Sequence, residues 1–185
     1  MCIRDRLYKQ GDYEGAYNKY QQAFDMDKNL EVAQLAVATM ALRTERYREA
    51  IAAAEAMLED EPTNQEAIRI RYNAALTLGD EQLLIDALVS LAEVEPETAV
   101  NGLWALAISA YDANDSERAK DRFSKVLTID PNHARAHYYL GLLYVSDGVN
   151  DKAIAHLDRF IQLTPDDPEA PSANDLVKYL RENPS

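Results

Sequence analysis

The chain has 185 residues, a formal net charge of -13, and 47% hydrophobic against 28% charged residues. That apolar content suffices to bury a core and excludes a disordered chain; the acidic surface repels phosphate backbones and anionic lipid, so no nucleic acid and no direct membrane insertion are expected. No apolar run approaches the roughly 20 residues of a membrane span, and outside Cys2 no cysteine exists for disulfides, thiolate catalysis or zinc ligation.

In chain order, the first six residues, MCIRDR, stand apart. They hold the only cysteine and two arginines, and their back-translation resembles the transposon mosaic end used as a sequencing adapter, read in frame. Residues 1–6 are expected to be a non-native scar, the alternative being an unusual genuine start, and are set aside from the fold. On this reading the remainder is an N-terminally truncated piece of a longer bacterial protein from environmental sequence.

From residue 7 onward three residue series share one period. Pro62, Pro96, Pro131 and Pro165 are spaced 34, 35 and 34 apart; Ala16, Ala50, Leu84, Ala119 and Ala153 are spaced 34, 34, 35 and 34; Gly11, Glu45, Gly79, Asn114 and Gly148 repeat those intervals. The glycine and asparagine series predicts left-handed residues where one helix stops and the chain reverses, with Glu45 making a looser turn. The alanine series predicts close helix crossings. The prolines are expected to end one helix and set the first turn of the next. Between these markers apolar residues recur at helical spacing, as in Ala153, Ile154, Leu157, Phe160 and Ile161. The predicted units are 7–30 (partial), 31–64, 65–98, 100–133 and 134–167, with Ala99 inserted. Residues 168–185 form a C-terminal cap and tail. There SANDLVKYLRE, residues 172–182, predicts a helix opened by a Ser172–Asp175 capping box, with Leu176, Val177 and Leu180 inward and Lys178, Arg181 and Glu182 in water.

The segment ARAHYYLGLLYVSDGVNDKAIAHLDRFIQLTP carries Leu140-Gly141, Tyr144, Gly148, Ala153, Leu157 and Pro165. In this pattern the chain resembles the tetratricopeptide repeat family over about residues 7–167, with Lys28 where the first unit would carry proline. The resemblance implies an all-α fold: a right-handed α-solenoid of stacked antiparallel helix pairs closed by a capping helix. It implies a non-catalytic interaction scaffold that binds a peptide or protein segment in a concave groove. The alternative is the repeat arm of a larger enzyme or envelope-assembly protein whose catalytic or anchoring domain lies upstream.

Candidates for chemistry are sparse. His133 and His137 are four apart and could share a helix face as metal ligands do, but no third ligand is placed by the sequence. The acidic runs around Glu59–Glu61, Glu93–Glu97 and Asp166–Asp167 are expected to be solvated turns rather than acid–base pairs. No phosphate loop or nucleophile elbow is present. Neither catalytic residue, metal nor cofactor is expected.

The family's phase places the groove on the first helix of each repeat. It implies Leu35, Thr39 and Leu42; then Glu66, Arg69, Asn73 and Leu76; then Asn101, Trp104, Ile108 and Tyr111; and Arg135, Tyr138, Tyr139 and Leu142. The peptide site is assigned to Arg69, Asn73, Leu76, Trp104, Ile108, Tyr111, Arg135, Tyr138, Tyr139 and Leu142. Aromatics on a face that intra-repeat packing does not need suggest binding; the alternative is that they pack on neighbouring helices. Some relatives grip a terminal carboxylate with basic and Asn residues. Arg69, Asn73 and Arg135 match that pattern, but Ala105 and Tyr139 stand where it needs Asn and a base, so at most loose capture of an acidic or C-terminal peptide near Arg69 and Arg135 is implied. An extended or helical apolar peptide against Trp104, Tyr111 and Tyr138 is the favoured expectation. The partner is a protein or peptide of unknown identity. Exposed Tyr17, Tyr20 and Phe24 at the truncated end predict weak self-association. The segment is expected to be soluble, in a bacterial cytoplasm or periplasm.

Overall fold

The computed structural model describes residues 11–27 and 31–183, so the reading of residues 1–6 lies outside the described residues, as does Lys28. Ten α-helices and no strand occur among the described residues. The chain divides into two compact units at Glu95/Pro96. The N-terminal unit holds α1 (Tyr13–Met26), α2 (Glu31–Arg43), α3 (Tyr47–Asp60), α4 (Gln65–Leu78) and α5 (Glu81–Leu91). The C-terminal unit holds α6 (Pro96–Asp112), α7 (Ser116–Ile129), α8 (Ala134–Ser146), α9 (Asn150–Leu163) and α10 (Ala170–Glu182). Within each unit every helix packs on the next, and α2 also touches α4. Short connections make the neighbours antiparallel. The fold is all-α, an array of stacked helix pairs.

The turns show why the sequence repeats as it does. Gly11, Gly79, Gly148, Glu45 and Asn114 all have positive φ, from 56° to 79°. Glu45, expected to turn more loosely, adopts the same left-handed conformation at φ 61°. The reason is a hydrogen-bonded closure in which the next N–H reaches five residues back. Arg46 donates to the Ala41 carbonyl (2.8 Å), as Asp115 does to Ala110 (2.9 Å) and Val149 to Tyr144 (2.9 Å). These bonds hold the helix end whatever residue sits at the turn. Three of the following helices start on side-chain caps: Asp12, Asp80 and Asp115 accept from the N–H groups of Gly15, Leu83 and Arg118, whereas Arg46 and Val149 make no side-chain capping bond.

The alanine series marks the crossings. Ala16, Ala50, Ala119 and Ala153 are fully buried, whereas Leu84 is half-buried. Gly141 has the same role in α8: a Cβ there would stand 2.6 Å from Leu157 Cγ. The prolines divide. Pro62, Pro131 and Pro165 lie in turns, but Pro96 is the first residue of α6. Proline has no N–H to lose at that position. Helix α6 therefore runs 17 residues and takes in the extra Ala99 as a fully buried residue rather than a loop bulge.

The C-terminal helix corrects one expectation. It starts at Ala170 with Glu169 as N-cap and no side-chain capping bond, so the Ser172–Asp175 capping box does not form and both residues sit exposed within the helix. Asp167 sets the start instead: its side chain accepts from the Glu169 N–H at 2.9 Å and its carbonyl from Ala170 at 2.9 Å. Pro171 in the first turn reinforces this earlier start. Ala170, Ala173, Val177 and Leu180 cover Ala153, Leu157 and Phe160 of α9, with Leu176 half-buried. Lys178, Arg181 and Glu182 are exposed, and Arg181 bonds Asp158 at 2.6 Å.

Candidate functional site

In the N-terminal unit, Arg69, Asn73 and Leu76 occupy an exposed stripe of α4, with Leu76 51% exposed. The Arg69 guanidinium already donates to Glu95 at 2.8 Å. Glu66 is exposed on the same helix. On α2, Leu35 and Thr39 line an open apolar hollow of about 260 Å³ with Tyr20, Val32, Ala36 and Met40. Leu42 instead packs on the alanine-rich core. The stripe of α2 was readable in the sequence; the contribution of Tyr20 from α1 was not, because it depends on how two helices approach.

In the C-terminal unit, Trp104, Ile108 and Tyr111 recur along α6 at three- and four-residue steps, and Arg135, Tyr138, Tyr139 and Leu142 do so on α8. All seven are partly buried, while Asn101 is exposed. The rings bridge the two helices. Tyr139 stacks on buried Phe123 of α7 (centroids 5.3 Å, 7°). It meets Trp104 at 5.7 Å, Tyr111 at 4.9 Å and Tyr138 at 5.7 Å. Trp104 also rests on Phe123 at 5.4 Å and on His133 at 4.8 Å, and Tyr138 on Phe160 at 4.9 Å. The aromatics thus support one another and still present part of their surface. Tyr111 and Leu142 open into a hollow of about 200 Å³ completed by Asn114, Ser116, Leu143 and Ser146.

Arg135 is anchored rather than free. It pairs with Asp167 at 3.1 Å and with Glu169, both from the turn before α10. Its guanidinium lies 5.9 Å over the Tyr138 ring and 6.0 Å over Phe160. Burial, and then the Glu169 carboxylate, push the Tyr138 hydroxyl pKa up. An incoming carboxylate would have to displace Glu95 from Arg69, and Asp167 and Glu169 from Arg135. Asp167 and Glu169 were not assigned to the site from sequence; their place depends on the path of the turn.

The histidines do not gather as a helical metal pair. His133 caps α8, its Nδ1 accepting from the Ala136 N–H at 3.2 Å. His137 turns to α9, where its Nδ1 lies 3.0 Å from Nδ1 of His156, and its Nε2 lies 3.2 Å from the Pro131 carbonyl. A carbonyl only accepts, so His137 Nε2 carries the proton. In the neutral ring Nδ1 is then bare, and His156 Nδ1–H donates to it. His156 also stacks on Tyr144 at 5.6 Å. Burial lowers the His137 pKa, and burial, His137 and Lys152 push His156 down to about 4. His156 falls on the Ala153–Leu157–Phe160 stripe, the one sequence signal for this pairing. Among the described residues no group of three or more metal-ligating side chains occurs, and no helix is long and apolar enough to cross a membrane.

Positive-φ turns at one period, alanine crossings and helix pairs define a helical repeat protein. The tetratricopeptide repeat profile matches residues 5–67 and 105–168, more than half the chain, and the protein belongs to the tetratricopeptide repeat family. A search of curated proteins finds no significant match. Among solved structures, a TPR repeats protein from Bacteroides fragilis is similar at 16% identity, covering 96% of this chain and 95% of its own, with a TM-score of 0.70. MamA is similar at 22% identity, covering 89% and 96%, with a TM-score of 0.50. These likenesses carry the fold. Family membership supports protein interaction as the general role, and the matching profile is that of a repeat scaffold rather than an enzyme.

Proposed function

We propose that this chain is a non-catalytic scaffold that holds a peptide or protein segment against the first helices of its repeats. In the C-terminal unit the surface is Trp104, Ile108, Tyr111, Arg135, Tyr138, Tyr139 and Leu142; in the N-terminal unit it is Arg69, Asn73 and Leu76. The observation that carries the reading is the partly exposed aromatic bridge between α6 and α8. Rigid aromatic side chains lose little entropy on binding and supply large contact area. The open hollow beside Val32, which is 74% exposed, supports a second proposal of weak self-association through the α1–α2 end. Sedimentation at high concentration would show it as a concentration-dependent shift.

The test of the main proposal is a pull-down with the unaltered chain and a Trp104→Ala, Tyr138→Ala variant, both shown equally helical by circular dichroism. A partner lost by the variant supports the aromatic surface. A partner retained by both moves binding elsewhere on the molecule.

A further inference from the structure

We propose that the α6–α8 face takes a peptide bearing lysine or arginine side chains among apolar ones, and that Asp167 and Glu169 set this preference. The inference rests on the reading of that face as a peptide surface and deepens it. Helix α6 contains neither lysine nor arginine and carries Glu97 on the stripe of Asn101, Trp104, Ile108 and Tyr111; α8 contains one cation, Arg135. That cation is held by two carboxylates, so the cluster has one positive and two negative charges. The Glu169 side chain is 43% exposed and its charge reaches the surface. The surrounding unit repeats the imbalance, with 14 acidic against 9 basic residues over 96–185.

The rings add to this preference. An aromatic face is electrostatically negative and attracts cations. Arg135 already shows that geometry over Tyr138 and Phe160. A lysine or arginine arriving beside Tyr138 would meet ring faces and the exposed carboxylate of Glu169, while its aliphatic stem covers Ile108 or Leu142. A glutamate arriving there would meet the same carboxylate and find Arg135 taken. The pairing with α10's approach thus turns a position that resembles an anion clamp into a cation seat.

The experiment titrates the full chain with three blocked synthetic peptides on one leucine–alanine scaffold, bearing lysine, glutamate or glutamine. Emission from Trp104, the only tryptophan, is the readout. The titration is repeated in an Asp167→Asn, Glu169→Gln variant of unchanged helicity. Asparagine keeps an acceptor for the Glu169 N–H, and Glu169 makes no side-chain capping bond to lose. Should the double variant lose helix, Glu169→Gln alone serves. The lysine peptide is expected to bind tightest. A unit charge at about 6 Å in a water-like medium changes affinity about threefold, so removing both carboxylates weakens it about tenfold. The same change releases Arg135 and strengthens the glutamate peptide. Attraction to the net charge of the whole chain would barely notice two fewer carboxylates. Unchanged lysine-peptide affinity in the variant, or a preference of the unaltered chain for glutamate, overturns the proposal while leaving the peptide surface intact. No response of Trp104 to any of the three removes the peptide-surface reading and this inference with it.

Discussion

Helices α2 and α4 of the N-terminal unit meet over an alanine-rich core, whereas α6 and α8 of the C-terminal unit meet through aromatic rings. Ala38, Ala41, Ala50, Ala54, Ala67, Ala74 and Ala75 are all fully buried in the first. Phe123, Leu103, Leu140, Leu157 and Phe160 are the large buried side chains of the second, with Trp104, Tyr138 and Tyr139 laid over them. Small side chains let backbones approach. Rings bridge the helices and keep part of their surface exposed. One repeat period therefore serves two purposes: a tight contact that fixes geometry, and a propped contact that offers a surface.

Removing a prop should have the largest effect. Phe123→Ala takes away a fully buried ring that Trp104 and Tyr139 both rest on, and it is expected to cost about 3–5 kcal/mol. Urea unfolding followed by circular dichroism measures the loss, and Trp104 emission should shift as its neighbour disappears. The matching change in the other unit adds bulk. Ala74 is fully buried on α4 within the alanine-rich core, so Ala74→Leu is expected to cost about 1–3 kcal/mol by overpacking. A neutral Ala74→Leu would show that the alanine contact has slack, and the contrast between the units would collapse.

Much of the architecture was readable because repeats write the same physical demand several times. A left-handed turn every 34 or 35 residues and an alanine at four of the five crossings admit few folds. What escaped the sequence depended on approach between elements. The Ser172–Asp175 capping box was plausible locally, yet Asp167 and Pro171 start α10 earlier. Ala99 read as an insertion, and its burial follows from Pro96 opening α6 directly. The aromatic stripe of the candidate site was visible as spacing. Its electrostatics were not, because Asp167 and Glu169 reach Arg135 from a turn more than 30 residues later.

A pH series sharpens the comparison, since the histidine pair belongs to the C-terminal unit alone. Both His137 and His156 have pKa values lowered by burial, His156 to about 4. Neighbouring Lys152 and Arg159 oppose protonation and Asp130 favours it. In the unfolded chain a histidine titrates near 6.5, so below that pH the unfolded state binds more protons and stability falls as pH drops toward about 4. Discounted for partial exposure, the loss between about pH 7.5 and about pH 5.5 is expected to be about 1 kcal/mol. His156→Gln should flatten that segment of the stability curve, measured by urea midpoints at each pH. An equally steep slope in the variant would assign the effect to other groups.

The smallest expected change lies at Glu45, in the N-terminal unit. Its φ of 61° places a glutamate where three equivalent turns use Gly11, Gly79 and Gly148 and one uses Asn114. A Cβ in the left-handed region crowds the following carbonyl at a cost of about 1–2 kcal/mol, and the closure from Arg46 to Ala41 leaves the backbone no other choice. Glu45→Gly relieves that crowding but gives the unfolded chain more freedom, which returns part of the gain. The net expectation is a stabilisation of about 0.5–1 kcal/mol, read as a rise in urea midpoint with unchanged slope. Glu45→Ala separates the two causes: it removes the side-chain charge while keeping the Cβ, so it should leave the midpoint nearly where it was. If alanine stabilised as much as glycine, the acidic side chain rather than its backbone conformation would be the source of strain at this turn.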